Sequence, residues 1–129
     1  MSASWRWISV HLAVNWHARL VERFGGLGGI REIGLLESAL ARPANQLAYG
    51  GKAGIEKLAA LYGVGIAKAH AFIDGNKRIA FAVKVAFLRA HGRTLDVTEA
   101  EATEVMLKIA ASEMDETQLE RWLTERCRG

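Results

Sequence analysis

Between Leu58 and Ala67 the chain reads LAALYGVGIA, with no charged side chain. A helix built from this run is apolar on nearly all sides and belongs at the centre of a fold. The rest of the chain must then supply a coat of amphipathic elements. Residues 8–23 place Ile8, Leu12, Trp16, Leu20 and, one step on, Phe24 on one face at i, i+4 spacing. GGLGG (25–29) breaks that helix. A short helix follows over 34–42 and stops at Pro43, the only proline; 43–53 read as a loop with Gly50-Gly51 as its flexible point. The central helix runs from Gly54 to His70. The next begins near Asn76, ends near His91-Gly92 and carries Ile79, Val83, Phe87 and Ala90 on one stripe. RTLDV (93–97) is a short extended piece. Helices over 98–112 and 115–127 close the chain. Thr98 and Glu101 form a capping-box signature, and Asp115 opens the last helix, with Leu119 and Trp122 turned inward. Strand signals are weak, so the expected fold is all-α: a compact helical bundle, one domain over residues 1–129.

Half of the residues are hydrophobic and 24% are charged, enough for a core without cross-links. Cys127 is the single cysteine, which excludes a disulfide within the chain and fits an inert thiol in a reducing compartment. The N-terminal MSASWRWISVHLAV is interrupted by His11 and Asn15 and lacks a clear small-residue cleavage site, so it does not read as a signal peptide. No apolar run reaches the roughly 18 residues of a membrane span, and the expected location is the cytoplasm. Net charge is +3 and the pI is near 9.3. A mildly basic surface suits nucleotide, nucleic acid or an acidic partner without choosing among them. No basic stripe with interleaved aromatics is visible, so direct nucleic-acid binding is not expected.

The two most apolar segments are joined by AHAFIDGNKRIAF (69–81), where polarity interrupts what should be core. Asp74-Gly75 is a turn signal and Asn76 a good helix N-cap. The loop therefore delivers the chain into a helix N-terminus, whose unpaired N–H groups and dipole favour anions. Gly75 lets a ligand approach the backbone closely. Lys77 and Arg78 stand in the first turn, where the dipole disfavours cations; a bound phosphate makes sense of them. Asp74 is a hard oxygen ligand suited to Mg²⁺. His70 lies just before the turn, and imidazole is a general base near neutrality. Separately, each residue has a bland reading as a cap, a solvated cation or a helix-end histidine. Together, between two apolar helices, they are the parts of a phosphate-handling site.

These residues resemble the Fic/Doc signature H-x-F-x-D/E-G/A-N-K/G-R, here His70-Ala-Phe72-Ile-Asp74-Gly75-Asn76-Lys77-Arg78. RFGGLGGIREIGLLESALARP (23–43) resembles the segment that marks the Doc branch of toxins, and the likeness covers roughly residues 8–97. AMP-transferring members usually carry Gly at the position of Lys77 and a second Arg at that of Phe81. The resemblance thus implies a Doc-type toxin that uses ATP and Mg²⁺ to phosphorylate a Ser or Thr of a protein, elongation factor Tu, and so stops translation. It implies His70 as the base and Asp74 as the metal ligand. The Gly75–Arg78 amides, with the side chains of Asn76, Lys77 and Arg78, hold phosphates, and Phe72 anchors the loop. It also implies a cognate antitoxin whose C-terminal segment occupies a groove. AMP transfer, or a catalytically inactive module that binds nucleotide or a partner, are the alternatives. Ile79 replaces a common Thr, implying a packing change.

Other residues carry less. His11 and His17 are poorly spaced for one metal ion, and His17 reads as structural or groove-lining. Arg31 faces the phosphate or substrate groove, or pairs with Glu32 or Glu37. His91 reads as a cation at a helix C-terminus. Trp5, Trp7, Trp16 and Trp122 read as core or interface, and Glu99, Glu101, Glu104 and Glu113 as solvated faces. Gly50 and Gly51 hinge a substrate-docking flap or belong to a plain loop.

Overall fold

The computed structural model describes residues 5–129, and its architecture is all-α around one central helix. The first four residues of the N-terminal run lie outside the described residues. The uncharged run forms α3 (Ile55–Ala69), in which every residue from Leu58 to Ala67 is buried. Its coat consists of α1 (Val10–Phe24), α2 (Ile33–Ala48), α4 (Asn76–Ala90), α5 (Glu99–Ala110) and α6 (Glu116–Arg126). α3 packs on α4, α2, α6 and α5, while α1 lies mainly on α4. A Cβ on Gly63 would sit 3.2 Å from Leu119 Cδ2 and 3.3 Å from Lys84 Cδ, so glycine lets α4 and α6 close onto α3. Among the described residues no helix is long and apolar enough to cross a membrane.

Two helices differ from the periodicity reading. α2 does not stop at Pro43 but continues to Ala48 with Pro43 buried inside it. A mid-helix proline costs roughly 3 kcal/mol through its missing N–H and a clash with the carbonyl four residues back. Leu36, Ala39, Leu40 and Pro43 are buried on one face, and packing of this face keeps the helix going. In α1 the buried helical residues are Ala13 and His17, not the Leu12–Trp16–Leu20–Phe24 stripe. Leu12 is 39% exposed and Phe24 56%. Small Ala13 and the hydrogen-bonding His17 face the fold most fully, Trp16 and Leu20 are half-buried against the core, and Leu12 and Phe24 are left at the rim. Ser9 caps this helix, accepting a hydrogen bond from Leu12 N–H at 3.1 Å.

The C-terminal third follows its sequence signals closely. Thr98 and Glu101 form the expected capping box, and Asp115 with Gln118 forms a second one. Glu101 is held below the usual carboxylate range, first by the Thr98 N–H. Leu119 is fully buried, as is Leu123, while Trp122 is half-buried. The extended 93–97 piece gains a partner that periodicity does not reveal. β1 (Thr94–Leu95) pairs antiparallel with β2 (Cys127–Arg128), in register Thr94 to Arg128 and Leu95 to Cys127, so α6 ends at Arg126. His91 is no lone terminal cation. Its Nδ1–H donates to Phe87 O at 2.8 Å and its Nε2 accepts Arg6 N–H at 3.0 Å, stapling residues 5–8 to α4. Trp5 and Trp7 stack at 6.2 and 6.0 Å on buried Phe87, a structural use of both rings.

Candidate active site

α3 ends at His70, whose backbone is left-handed (φ 50°, ψ 42°), a conformation uncommon for a residue with a Cβ. Gly75 (φ 76°, ψ 18°) is the second left-handed residue and the N-cap of α4. Together they fold residues 70–75 into a tight reversal between two buried helices. Asn76 is therefore not the cap: it is the first helical residue, and its side chain turns back. Its Oδ1 accepts Phe72 N–H at 3.1 Å and its Nδ2 donates to Phe72 O at 2.9 Å. Both functions of the amide thus hold the loop. Phe72 is buried, as an anchor should be, and stacks on His17 with ring centroids 3.8 Å apart.

The GGLGG segment serves as the loop's second wall. Ile73 N–H donates to Gly29 O at 3.1 Å, Arg31 N–H and Glu32 N–H donate to Ala71 O at 2.7 and 2.9 Å, and Ile30 bridges to Phe72. Asp74 lies at the meeting point. Its Oδ2 accepts Leu27 N–H at 3.2 Å and its Oδ1 accepts Gly75 N–H at 2.8 Å. The Leu27 N–H first, then the Gly75 N–H, hold the Asp74 carboxyl below the usual range, with Arg78 and Lys77 adding a smaller pull. A Cβ on Gly26 (φ 106°) would fall 2.8 Å from Asp74 Oδ2, so only glycine lets the segment pass there.

The cationic side is open. His70, Lys77 and Arg78 are exposed at the loop and the first turn of α4. Ile79 N–H makes the first intrahelical bond, to Gly75 O at 3.0 Å, so the amides of residues 76–78 precede the helical ladder. Arg78 lies over the Phe24 ring at 5.0 Å, with Arg23 at 5.3 Å. The structure thus brings together His70, Asp74, Gly75, Asn76, Lys77 and Arg78 on one loop and helix start. Ile79 is fully buried, consistent with a packing role.

Two side chains at the loop had no definite assignment from sequence. His17 is 3% exposed, and its Nε2–H donates to Asp74 O at 2.7 Å. Arg31 pairs with neither Glu32 nor Glu37; its Nε–H donates to His70 O at 2.9 Å. A polar residue on the small-residue face of α1, Ala13 to His17, was the available signal for the first. Phe81 lines an apolar groove of about 790 Å³ with Leu12, Trp16, Val85 and Ala86.

Among the described residues no group of three or more His, Cys, Asp or Glu side chains is placed to hold a metal ion. Mg²⁺ that arrives with a nucleotide needs less: one or two carboxylates, with phosphate and water completing the shell. Asp74 fits that role, since each of its oxygens accepts only one N–H and the carboxyl is biased toward its ionised form.

The fold and loop define the class: an all-α protein whose H-x-F-x-D-G-N-K-R signature joins two buried helices. The Fic/DOC family matches residues 7–88, and the chain belongs to that family. It is 33% identical over 87 residues to "Protein kinase doc" of Escherichia phage P1, covering 67% of this chain and 69% of the relative. It is 39% identical over 99 residues to "Toxin Doc" of Mycolicibacterium smegmatis, covering 71% of this chain and 73% of that protein.

Proposed function

We propose that this chain is the toxin of a toxin–antitoxin pair and a protein kinase of the Doc type. It would transfer the γ-phosphate of ATP to a Ser or Thr hydroxyl, with elongation factor Tu as the leading substrate. The observation that carries this reading is the loop itself. An exposed imidazole, a carboxylate biased toward its anion and a cationic helix start converge there, in a family member whose relatives are named a kinase and a toxin.

His70 takes the proton of the acceptor hydroxyl as its oxygen attacks the γ-phosphorus. The bond to the β–γ bridging oxygen breaks and ADP leaves. The 76–78 amides and the Lys77 and Arg78 side chains neutralise the phosphate oxygens. The Asn76 amide, already bound to Phe72, keeps the loop in shape while this happens. Mg²⁺ held by Asp74 would withdraw charge from the phosphates. His17 and Phe72 hold the Asp74 end of the loop from beneath. Such an enzyme works in the cytoplasm, where its substrate is.

The apolar groove is the proposed seat of the antitoxin's C-terminal segment, as a helix laid between α1 and α4. The groove runs from Trp16 and Phe81 toward Arg6 and Arg89, and α1 and α4 carry Phe24 and Arg78 at the other end, so a segment seated in it would have to extend past Phe81 to reach the phosphate-binding turn.

ATP labelled at either end separates the chemistries in a lysate. Label carried into protein from γ-labelled ATP and not from α-labelled ATP is the expected result. Transfer from α-labelled ATP would mean AMP transfer, against the reading drawn from Lys77 and Phe81. Transfer from neither would leave a binding module.

A further inference from the structure

The left-handed turn at His70 is unfavourable for a residue with a Cβ and persists only where neighbours impose it. Most of what surrounds it is main chain. The carbonyl of Ala71 accepts two N–H groups from residues 31 and 32, and Gly29 O accepts Ile73 N–H. Any residue but proline at position 31 would make its share of those bonds. One contact belongs to the Arg31 side chain alone: the Nε–H bond of 2.9 Å to the carbonyl of His70. That carbonyl closes the C-terminal end of α3, where a helix carries partial negative charge and a cation is favoured. Arg31 is itself exposed, so burial does not account for its place.

We infer that Arg31 is a positioning residue for His70. Its guanidinium fixes the peptide plane that follows His70, and with it the direction in which the imidazole leaves the backbone. The two main-chain bonds at Ala71 hold the next peptide, so without Arg31 the plane between them is the one free to rotate. This exposed anchor holds the start of the loop, whereas buried His17 holds its other end through the carbonyl of Asp74. His70 is thus restrained from residues 29–32 and Asp74 from α1, each by one side chain. The consequence for turnover rests on the reading of His70 as the general base. A base that wanders by an ångström loses rate and not nucleotide affinity, because the phosphates are held elsewhere, at residues 76–78.

The test uses the full chain with Arg31→Met and Arg31→Lys. Ring ¹⁵N resonances of His70 are recorded by NMR, and transfer from ATP to protein is followed alongside. In Arg31→Met the His70 resonances are expected to shift or split. Turnover is expected to fall about tenfold, with KM for ATP within about twofold of the parent. Arg31→Lys, which keeps the charge and one donor, should recover part of both. Unchanged His70 resonances in a folded Arg31→Met chain would overturn the inference. So would displaced resonances with full turnover, or a drop in melting temperature as the only effect. A parent chain that transfers neither end of ATP would instead overturn the functional reading, and the His70 resonances would still decide whether Arg31 holds that residue.

Discussion

Among the described residues, His17 and Lys84 are the two buried side chains that can carry a positive charge, and they lie in different regions and are treated differently. His17, beneath the loop, has a carbonyl oxygen 2.7 Å from Nε2 and an aromatic ring stacked at 3.8 Å. Lys84, in the core where α4 meets α5 and α6, is 0% exposed and has no carboxylate partner among the described residues. Its Nζ finds Met106 Sδ at 3.8 Å and the faces of Phe81 and Trp122 at 4.3 and 5.4 Å. Burial pushes the Lys84 ammonium down to about 7, while Cys127 and the two rings favour the charged form. Buried polarity at the loop is thus fully bonded and braces the candidate site, whereas buried polarity in the distal core is expected to lower stability.

Breaking the first region should have the larger effect. His17→Leu removes the donor to the Asp74 carbonyl and the stack on Phe72. Stability should fall by about 1–3 kcal/mol, read by denaturant unfolding. Transfer per folded molecule should fall by about an order of magnitude. His17→Gln, which can still donate, should lose less of both. If His17→Leu kept full transfer, the loop would not need its lower anchor.

Lys84→Met should do the opposite: raise stability by about 2 kcal/mol near neutral pH or below, roughly 5 °C in melting temperature, and leave transfer unchanged. The sign follows from the depressed value. The folded chain releases the Lys84 proton near 7, and the unfolded chain releases it in the ordinary lysine range near 10.4. Between those values the unfolded state binds more protons, so stability rises with pH; below 7 the penalty is complete. The difference between parent and Lys84→Met should shrink as pH rises from about 7 to 10. A difference that stays constant across that window would show that Lys84 remains charged in the fold.

The same two regions differ in how far they could be read in advance. The loop was legible because His70, Asp74, Gly75, Asn76, Lys77 and Arg78 are packed between two apolar runs. The helix boundaries around it fell within a residue or so. What was missed there was local competition. Gly75 takes the cap because its φ is positive, and the Asn76 amide is drawn instead to Phe72. Elsewhere, tertiary packing overrode local signals. Pro43 stays in α2 because its face is buried, and Leu12 and Trp16 of the α1 stripe line a groove, which periodicity cannot tell from core. The β1–β2 ladder, two residues on each strand, lies beneath any periodic signal. The anchoring roles of His17 and Arg31 depend on contacts 57 and 39 residues apart along the chain, which no spacing rule reaches.

The most direct measurement is the mass of purified elongation factor Tu after incubation with the chain, ATP and Mg²⁺, run in parallel with His70→Ala. The expected result is a gain of about 80 Da, the mass of one phosphoryl group, on a Ser or Thr. In the His70→Ala reaction transfer should fall by roughly 10²–10⁴-fold, the usual contribution of a general base. The circular dichroism of this variant should be unchanged, because the side chain is exposed. A gain equal to AMP, or full transfer by a folded His70→Ala chain, would contradict the account.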